Sequence, residues 1–256
     1  MNDATSNVTR SHATAPTLHV DIHHLKAACA KCSLRELCLP AGLTLHEVEQ
    51  LSEIIYARRK VKRGEAIIRA GTQFTALYAV RTGFFKTSVL AADGRDQVTG
   101  FSMAGELLGM DGIGDDIYQH DVIALEDSEV CKIPFDNFDS LAHEIPSLQR
   151  HFNKVMSREI VREGGAMMML GVMKADERLA AFLLNLSQRL HARGYAPLEF
   201  TLRMTREEIG SYLGLKLETV SRAFSKFQAD GIVEVDQKMI RIIDVESLRG
   251  IYAHHT

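Results

Sequence analysis

The sequence predicts an α+β fold: a β-roll, then one long helix, then a helical domain that closes with a two-stranded wing. Three observations carry this. Nine of the 18 glycines fall between Gly64 and Gly114, where they punctuate short apolar runs. A proline-free stretch from Ser147 to Met173 repeats its apolar residues at helical spacing. From Asp176 the pattern is again helical, and it ends in two β-rich runs either side of Asp236-Gln237.

Residues 1–20 are rich in Thr, Ser, Ala and His and have no apolar period, so a disordered tail is expected there. The remainder is ordinary globular material: of 256 residues, 46% are hydrophobic and 25% charged, which excludes wholesale disorder. No apolar run approaches the roughly 18 residues of a membrane-spanning helix. The N-terminus lacks the apolar core of a signal peptide, so a cytoplasmic chain is expected. The net charge of −3 argues against a protein coated in nucleic acid but leaves room for a local reading helix.

After the tail, Leu45, Val48, Leu51, Ile54 and Ile55 repeat every three to four residues, predicting a helix from Thr44 to Tyr56. Thr44 and Glu47 have the spacing of a capping box at its start. Between 61 and 135 the apolar runs shorten to strand length, as in Ala66-Ile67-Ile68 and Leu77-Tyr78-Ala79-Val80. Asp93-Gly94 is a tight-turn signal between two of them, and the strands end near Ile133-Pro134.

In the long helix, Phe152, Met156, Ile160, Glu163, Met167 and Leu170 step by threes and fours along one face, close to a coiled-coil stripe. A helix of this length spans roughly 40 Å, more than one small domain needs. An inter-subunit helix, 147–174, is therefore expected, although packing on its own domain gives the same pattern. Gly164-Gly165 weakens it internally.

The C-terminal domain, 175–256, carries a sharper signal. Thr205 and Glu208 form a second capping-box spacing, Ile209, Tyr212 and Leu213 make an apolar face, and Gly214 breaks the helix. A second helix starts near Leu217, buries Val220, Ala223, Phe224 and Phe227, and stops at Gly231. This is helix-turn-helix grammar, and the following β-hairpin reads as a wing. Lys216, Glu218, Thr219, Ser221 and Arg222 would face the major groove of duplex DNA. Arg222 suits a guanine edge, Glu218 the amino group of cytosine, and Ser221 several bases. Residues 201–256 hold eight basic and eight acidic residues, so non-specific affinity should be weak and dimerisation important.

Four cysteines are too few for a disulfide scaffold, yet Cys29, Cys32 and Cys38 crowd into ten residues. Clustered thiolates select zinc or iron–sulfur groups. A fourth ligand is needed. His23 and His24 would complete a zinc site. Cys131, on a strand, is either a small buried residue or the fourth ligand of an iron–sulfur cluster. The spacing matches neither ferredoxin pattern.

The chain resembles the FNR branch of the CRP/FNR transcription regulators, from Cys29 to Ile243. The resemblance rests on Cys29-x2-Cys32-x5-Cys38 with a lone Cys131, on Asp96-Gln97-Val98-Thr99-Gly100-Phe101, on Ala175-Asp176-Glu177-Arg178-Leu179-Ala180-Ala181-Phe182, and on Leu217-Glu218-Thr219-Val220-Ser221-Arg222. It implies a cyclic-nucleotide-binding-like roll whose four cysteines ligate a [4Fe-4S] cluster, with residues 21–146 as the sensor domain. It implies oxygen sensing, a homodimer when the cluster is present, and control of anaerobic genes from a TTGAT-type palindrome. It also implies an RNA polymerase contact at Asp93 and Gly94, and no enzyme activity. Nucleotide-binding relatives carry Gly-Glu-Leu followed by Arg-Ser or Arg-Thr. Gly105-Glu106-Leu107 is present, but Tyr118-Gln119 stands where the arginine would be, so no cyclic nucleotide is expected.

Overall fold

The computed structural model describes residues 29–55, 58–90, 94 and 96–253. The expected tail, His23, His24, Tyr56 and Asp93 lie outside them. Helix α1 (Leu45–Ile54) opens on the foreseen capping box. Thr44 Oγ1 accepts the Glu47 N–H at 3.3 Å, and the Glu47 carboxylate accepts the Thr44 N–H at 2.7 Å.

Eight strands follow: β1 (Arg58–Val61), β2 (Ala66–Ile68), β3 (Ala76–Thr82), β4 (Phe84–Leu90), β5 (Asp96–Met103), β6 (Leu107–Leu108), β7 (Asp121–Ala124) and β8 (Ser128–Pro134). They pair antiparallel into two four-stranded sheets, ordered β1-β8-β3-β6 and β2-β7-β4-β5. The chain passes from one sheet to the other at Gly83. Its φ is 95°, and a Cβ there would lie 2.0 Å from Ser128 Oγ, so only glycine fits. Leu77, Val80, Phe85, Val130 and Ile133 fill the space between the sheets.

Helix α2 (Phe135–Glu144) leads into α3 (Pro146–Val172), 27 residues long. Pro146 sits in the first turn of α3, where no helical N–H bond is lost. The rest of the chain forms α4 (Ala175–His191), β9 (Glu199–Thr201), α5 (Arg206–Leu213), α6 (Leu217–Ala229), β10 (Val233–Asp236), β11 (Met239–Ile242) and α7 (Val245–Ala253). The wing is a three-stranded sheet, β10-β11-β9, one strand more than the sequence reading supplied. Glu199–Thr201 is too short to announce itself by alternation, and its pairing to β11 makes it a strand.

The chain has two hydrophobic cores. The first joins the roll, α1, α2 and the start of α3. The second belongs to the C-terminal domain, yet includes Val98, Phe101 and Met103 from β5. The Phe101 ring lies 5.3 Å from Tyr212 and 6.1 Å from Phe182. Ser211 Oγ on α5 accepts the Val98 N–H at 2.8 Å. Burying a side chain such as Phe101 stabilises by about 3 kcal/mol, so β5 is a shared wall that fixes the roll against the helix-turn-helix.

Candidate DNA-reading and cysteine sites

The geometry of the reading element follows from its glycines. In α5, a Cβ on Gly210 would lie 2.7 Å from the Leu215 carbonyl, so the turn packs tightly only with glycine there. Gly214 then adopts φ 62°, the left-handed stop the sequence indicates. Thr205 Oγ1 accepts the Glu208 N–H at 3.1 Å, completing the second capping box. Helix α6 buries Val220, Ala223, Phe224 and Phe227. Its other side presents Lys216, Glu218, Ser221 and Arg222 to solvent, with Thr219 half-buried among them. Leu217 is also 45% exposed on this face. Lys226 is tied to Asp176 at 2.6 Å and is less free to reach a ligand.

Sequence reading missed Arg178. From α4, its guanidinium donates to the carbonyls of Met173, Leu213 and Leu170 at 2.9, 2.9 and 2.8 Å. These carbonyls lie at the ends of α3 and α5. One side chain thus clamps the long helix to the first helix of the reading element. The signal was present in Ala175-Asp176-Glu177-Arg178, but it marked a resemblance and not a contact.

The cysteines gather at the opposite end of α3. Cys29 is buried in a 3-10 turn, Cys29–Lys31, and its N–H donates to Ser52 Oγ at 3.3 Å. Cys38 follows a second turn, Arg35–Leu37, and its N–H donates to the Leu34 carbonyl at 3.0 Å. Cys131 sits on β8 between Arg58 of β1 and Ala79 of β3. All four are free thiols, and Cys32 and Cys38 are half-buried. Burial pushes Cys38 up to about 12 and Cys131 up to about 11, and the neighbouring thiols push the same way. Arg58 and Arg81 work against this at Cys131. The four thiols are therefore neighbours. Among the described residues no three Cys, His, Asp or Glu side chains are gathered closely enough to grip a metal ion as they stand. His151, on α3, lies beside the backbone of Cys38.

The seam on α3 divides in two. Phe152 is buried in its own subunit's core, 4.8 Å from the Phe138 ring, which corrects its assignment to an inter-subunit face. A period of three and four cannot tell which partner a helix face meets. Met156 also packs against the core. Farther along, Ile160, Met167 and Leu170 are 69%, 76% and 39% exposed, and Glu163 is exposed among them.

Tyr118, which stands where the resemblance would set an arginine, is buried, and its hydroxyl donates to the Ala76 carbonyl at 2.6 Å. Glu106 faces Arg189 and Arg193, each at 2.6 Å, and Arg162 at 3.6 Å. In the hairpin between β4 and β5, Gly94 is exposed with φ 82°. No helix among the described residues is long and apolar enough to cross a membrane.

Comparison with known proteins agrees with this architecture. Residues 58–144 match the cyclic nucleotide-binding domain family, and residues 177–251 the Crp-like helix-turn-helix domain family. The transcriptional regulatory protein btr of Bordetella pertussis is 45% identical, over 88% of this chain and 93% of its own. The transcriptional activator protein anr of Pseudomonas aeruginosa is 43% identical, over 86% and 90%. The fumarate and nitrate reduction regulatory protein of Escherichia coli is 40% identical, over 88% and 90%. Among solved structures, FixK2 from Bradyrhizobium japonicum superposes with a TM-score of 0.71 at 27% identity, covering 78% of this chain and 98% of that one. With relatives this similar along most of its length, the chain belongs to the CRP/FNR family: it is a DNA-binding transcription regulator, not an enzyme.

Proposed function

We propose that this regulator senses oxygen in the cytoplasm through a [4Fe-4S] cluster held by Cys29, Cys32, Cys38 and Cys131. One observation carries the reading: a single loop and strand β8 bring four unpaired thiols into one another's electrostatic reach. The donor set fits in kind, because soft thiolates favour iron–sulfur groups and a cubane takes four of them. When bound, the cluster supplies an oxygen-labile iron–sulfur core. Closing the last distance falls to the Cys29–Cys38 segment, which carries two short 3-10 turns.

The remaining residues supply the readout. His151 couples the position of Cys38 to α3. Ile160, Met167 and Leu170 then pair with a second copy of the chain, and two-fold symmetry sets Glu163 near its mate. Like charges oppose that pairing, so the ligand loop's contribution to α3 decides between monomer and dimer. The dimer reads a TTGAT-type palindrome, with Arg222 on guanine, Glu218 on the paired cytosine and Ser221 on a neighbouring thymine. Asp93 and Gly94 contact RNA polymerase. Anaerobic genes are activated or repressed accordingly. Tyr118 occupies the place of a phosphate-binding arginine, so the roll serves as scaffold and takes no cyclic nucleotide.

Purification without oxygen tests this. About four irons with matching sulfide, a broad visible band that air bleaches, and a palindrome shift lost in air are the expected results. A colourless protein carrying zinc would indicate a zinc-stabilised regulator without sensing. Iron without DNA selectivity would indicate an electron carrier. Either result overturns the reading.

A further inference from the structure

Arg58 of β1 stands directly across the strand pair from Cys131 of β8. Residues opposed in an antiparallel ladder project to the same side of the sheet, with Cβ atoms about 5 Å apart. The guanidinium and the thiol therefore share one face. The charge of Arg58 also reaches Cys29. Burial raises both thiols, and Arg58 opposes the rise at each. One side chain thus acts on both parts of the cysteine set, the Cys29–Cys38 segment and strand β8.

The acid beside Arg58 does not satisfy it. Among the described residues its ion-pair partner is Glu129, whose Oε1 lies 3.9 Å from Nε, beyond hydrogen-bond reach. That same oxygen accepts a hydrogen bond from Arg81 Nη1 at 3.3 Å. The adjacent Arg59, by contrast, meets Glu65 at 2.8 Å. Arg58 Nε is buried and has no hydrogen-bond partner. Two arginines share one carboxylate, so a positive charge and an unused N–H remain beside the thiols.

A buried donor without an acceptor is costly. Neutral thiols accept weakly and do little to relieve it, whereas an ionised acceptor makes a strong bond. Metal ligation strips the protons from the thiols and leaves the ligated group net negative. A cation fixed on the same face favours that state, and arginine keeps its charge at every physiological pH.

We propose that Arg58 is a positioning residue of the cysteine site: its guanidinium balances the thiolate charge of Cys131 and Cys29 and donates its free Nε–H to a ligating sulfur. The inference rests on metal ligation by the four cysteines, but not on the metal being iron.

Cobalt(II) added to the reduced, metal-free full chain tests it, read by the thiolate-to-cobalt charge-transfer band. Arg58→Gln should weaken cobalt binding roughly tenfold, the effect of losing one opposite charge close to a thiolate. Arg58→Lys keeps the charge and should restore most of the affinity. Arg59→Gln changes the net charge equally and should leave the affinity unchanged. Equal affinities in wild type and Arg58→Gln overturn the proposal and leave the cysteine site standing. So does an Arg58→Lys protein as weak as Arg58→Gln, or an equal loss in Arg59→Gln. A wild-type chain that gives no cobalt band removes the cysteine site itself, and the proposal with it. A measurement on the wild-type chain guards against a misfolded variant. The Nε–H resonance of Arg58 should move when zinc(II) is added, and a resonance that stays put overturns the proposal.

Discussion

The carboxylate of Glu106 lies 2.6 Å from the guanidinium of Arg189. With Arg193 and Arg162, this places one acid of the roll under three cations, from α3, from α4 and from the turn that follows α4. The roll, the long helix and the helix leading into the reading domain thus share one charge cluster. Burial raises the Glu106 pKa, but Arg189, then Arg193 and Arg162, hold it below the usual carboxylate range. Burial pulls the other way on Arg193, which stays charged at any physiological pH.

Glu106→Gln should therefore lower stability at neutral pH by about 2 kcal/mol, since Arg189 and Arg193 lose their acid while Arg162 keeps Glu159. A lowered carboxylate contributes stability that is present above its unfolded value of about 4.3 and is lost as pH falls through its folded value. Thermal melts should show the wild type losing more stability than Glu106→Gln between neutral pH and that acid range. Parallel curves would remove the ionic account.

His120 Nδ1 lies 3.0 Å from Asp111. The hydrogen bond that the His120 ring donates to the Asp111 carboxylate raises the His120 pKa against the effect of burial, and Glu163 adds to the rise. A raised histidine stabilises below its unfolded value of about 6.5, and that stability is lost as pH rises through the folded value. An NMR titration should place His120 above 6.5, and Asp111→Asn should bring it down. A His120 that titrates identically in both proteins would show that the bond is not made in solution.

Cys38, pushed up to about 12 by burial, holds very little thiolate at neutral pH. In metal-free protein, mass spectrometry after timed alkylation should find Cys38 modified slowly until denaturant is added. Rapid labelling in the native state would mean that the Cys29–Cys38 segment opens freely.

On α3, Ile160 is exposed beside Glu163. Glu163→Ala should yield dimers in air, read by sedimentation, because the like-charge opposition is gone. Ile160→Asp should abolish dimers under all conditions. A Glu163→Ala protein that stays monomeric without cluster would sink the proposed switch.

Much of the fold was legible because local chemistry dictates it. Thr44 with Glu47 and Thr205 with Glu208 spell helix starts, and Gly214 spells a stop, since each acts through backbone groups a few residues away. The reading face of α6 was legible for the same reason: a helix sorts its residues by period alone. Phe152 shows the limit of that reasoning. Its spacing is that of the seam, but Phe138 of its own subunit claims it.

The sequence by itself determined the clustered thiols, the capped helices and the polar face of α6, because these depend on residue chemistry and short-range spacing. Only the tertiary structure decided what each charge and ring faces. It placed β5 in the C-terminal core and stapled α3 to α5 through Arg178. It set three arginines on Glu106. Such pairings join residues far apart in the chain, and their energies depend on distance and burial, which sequence order does not encode.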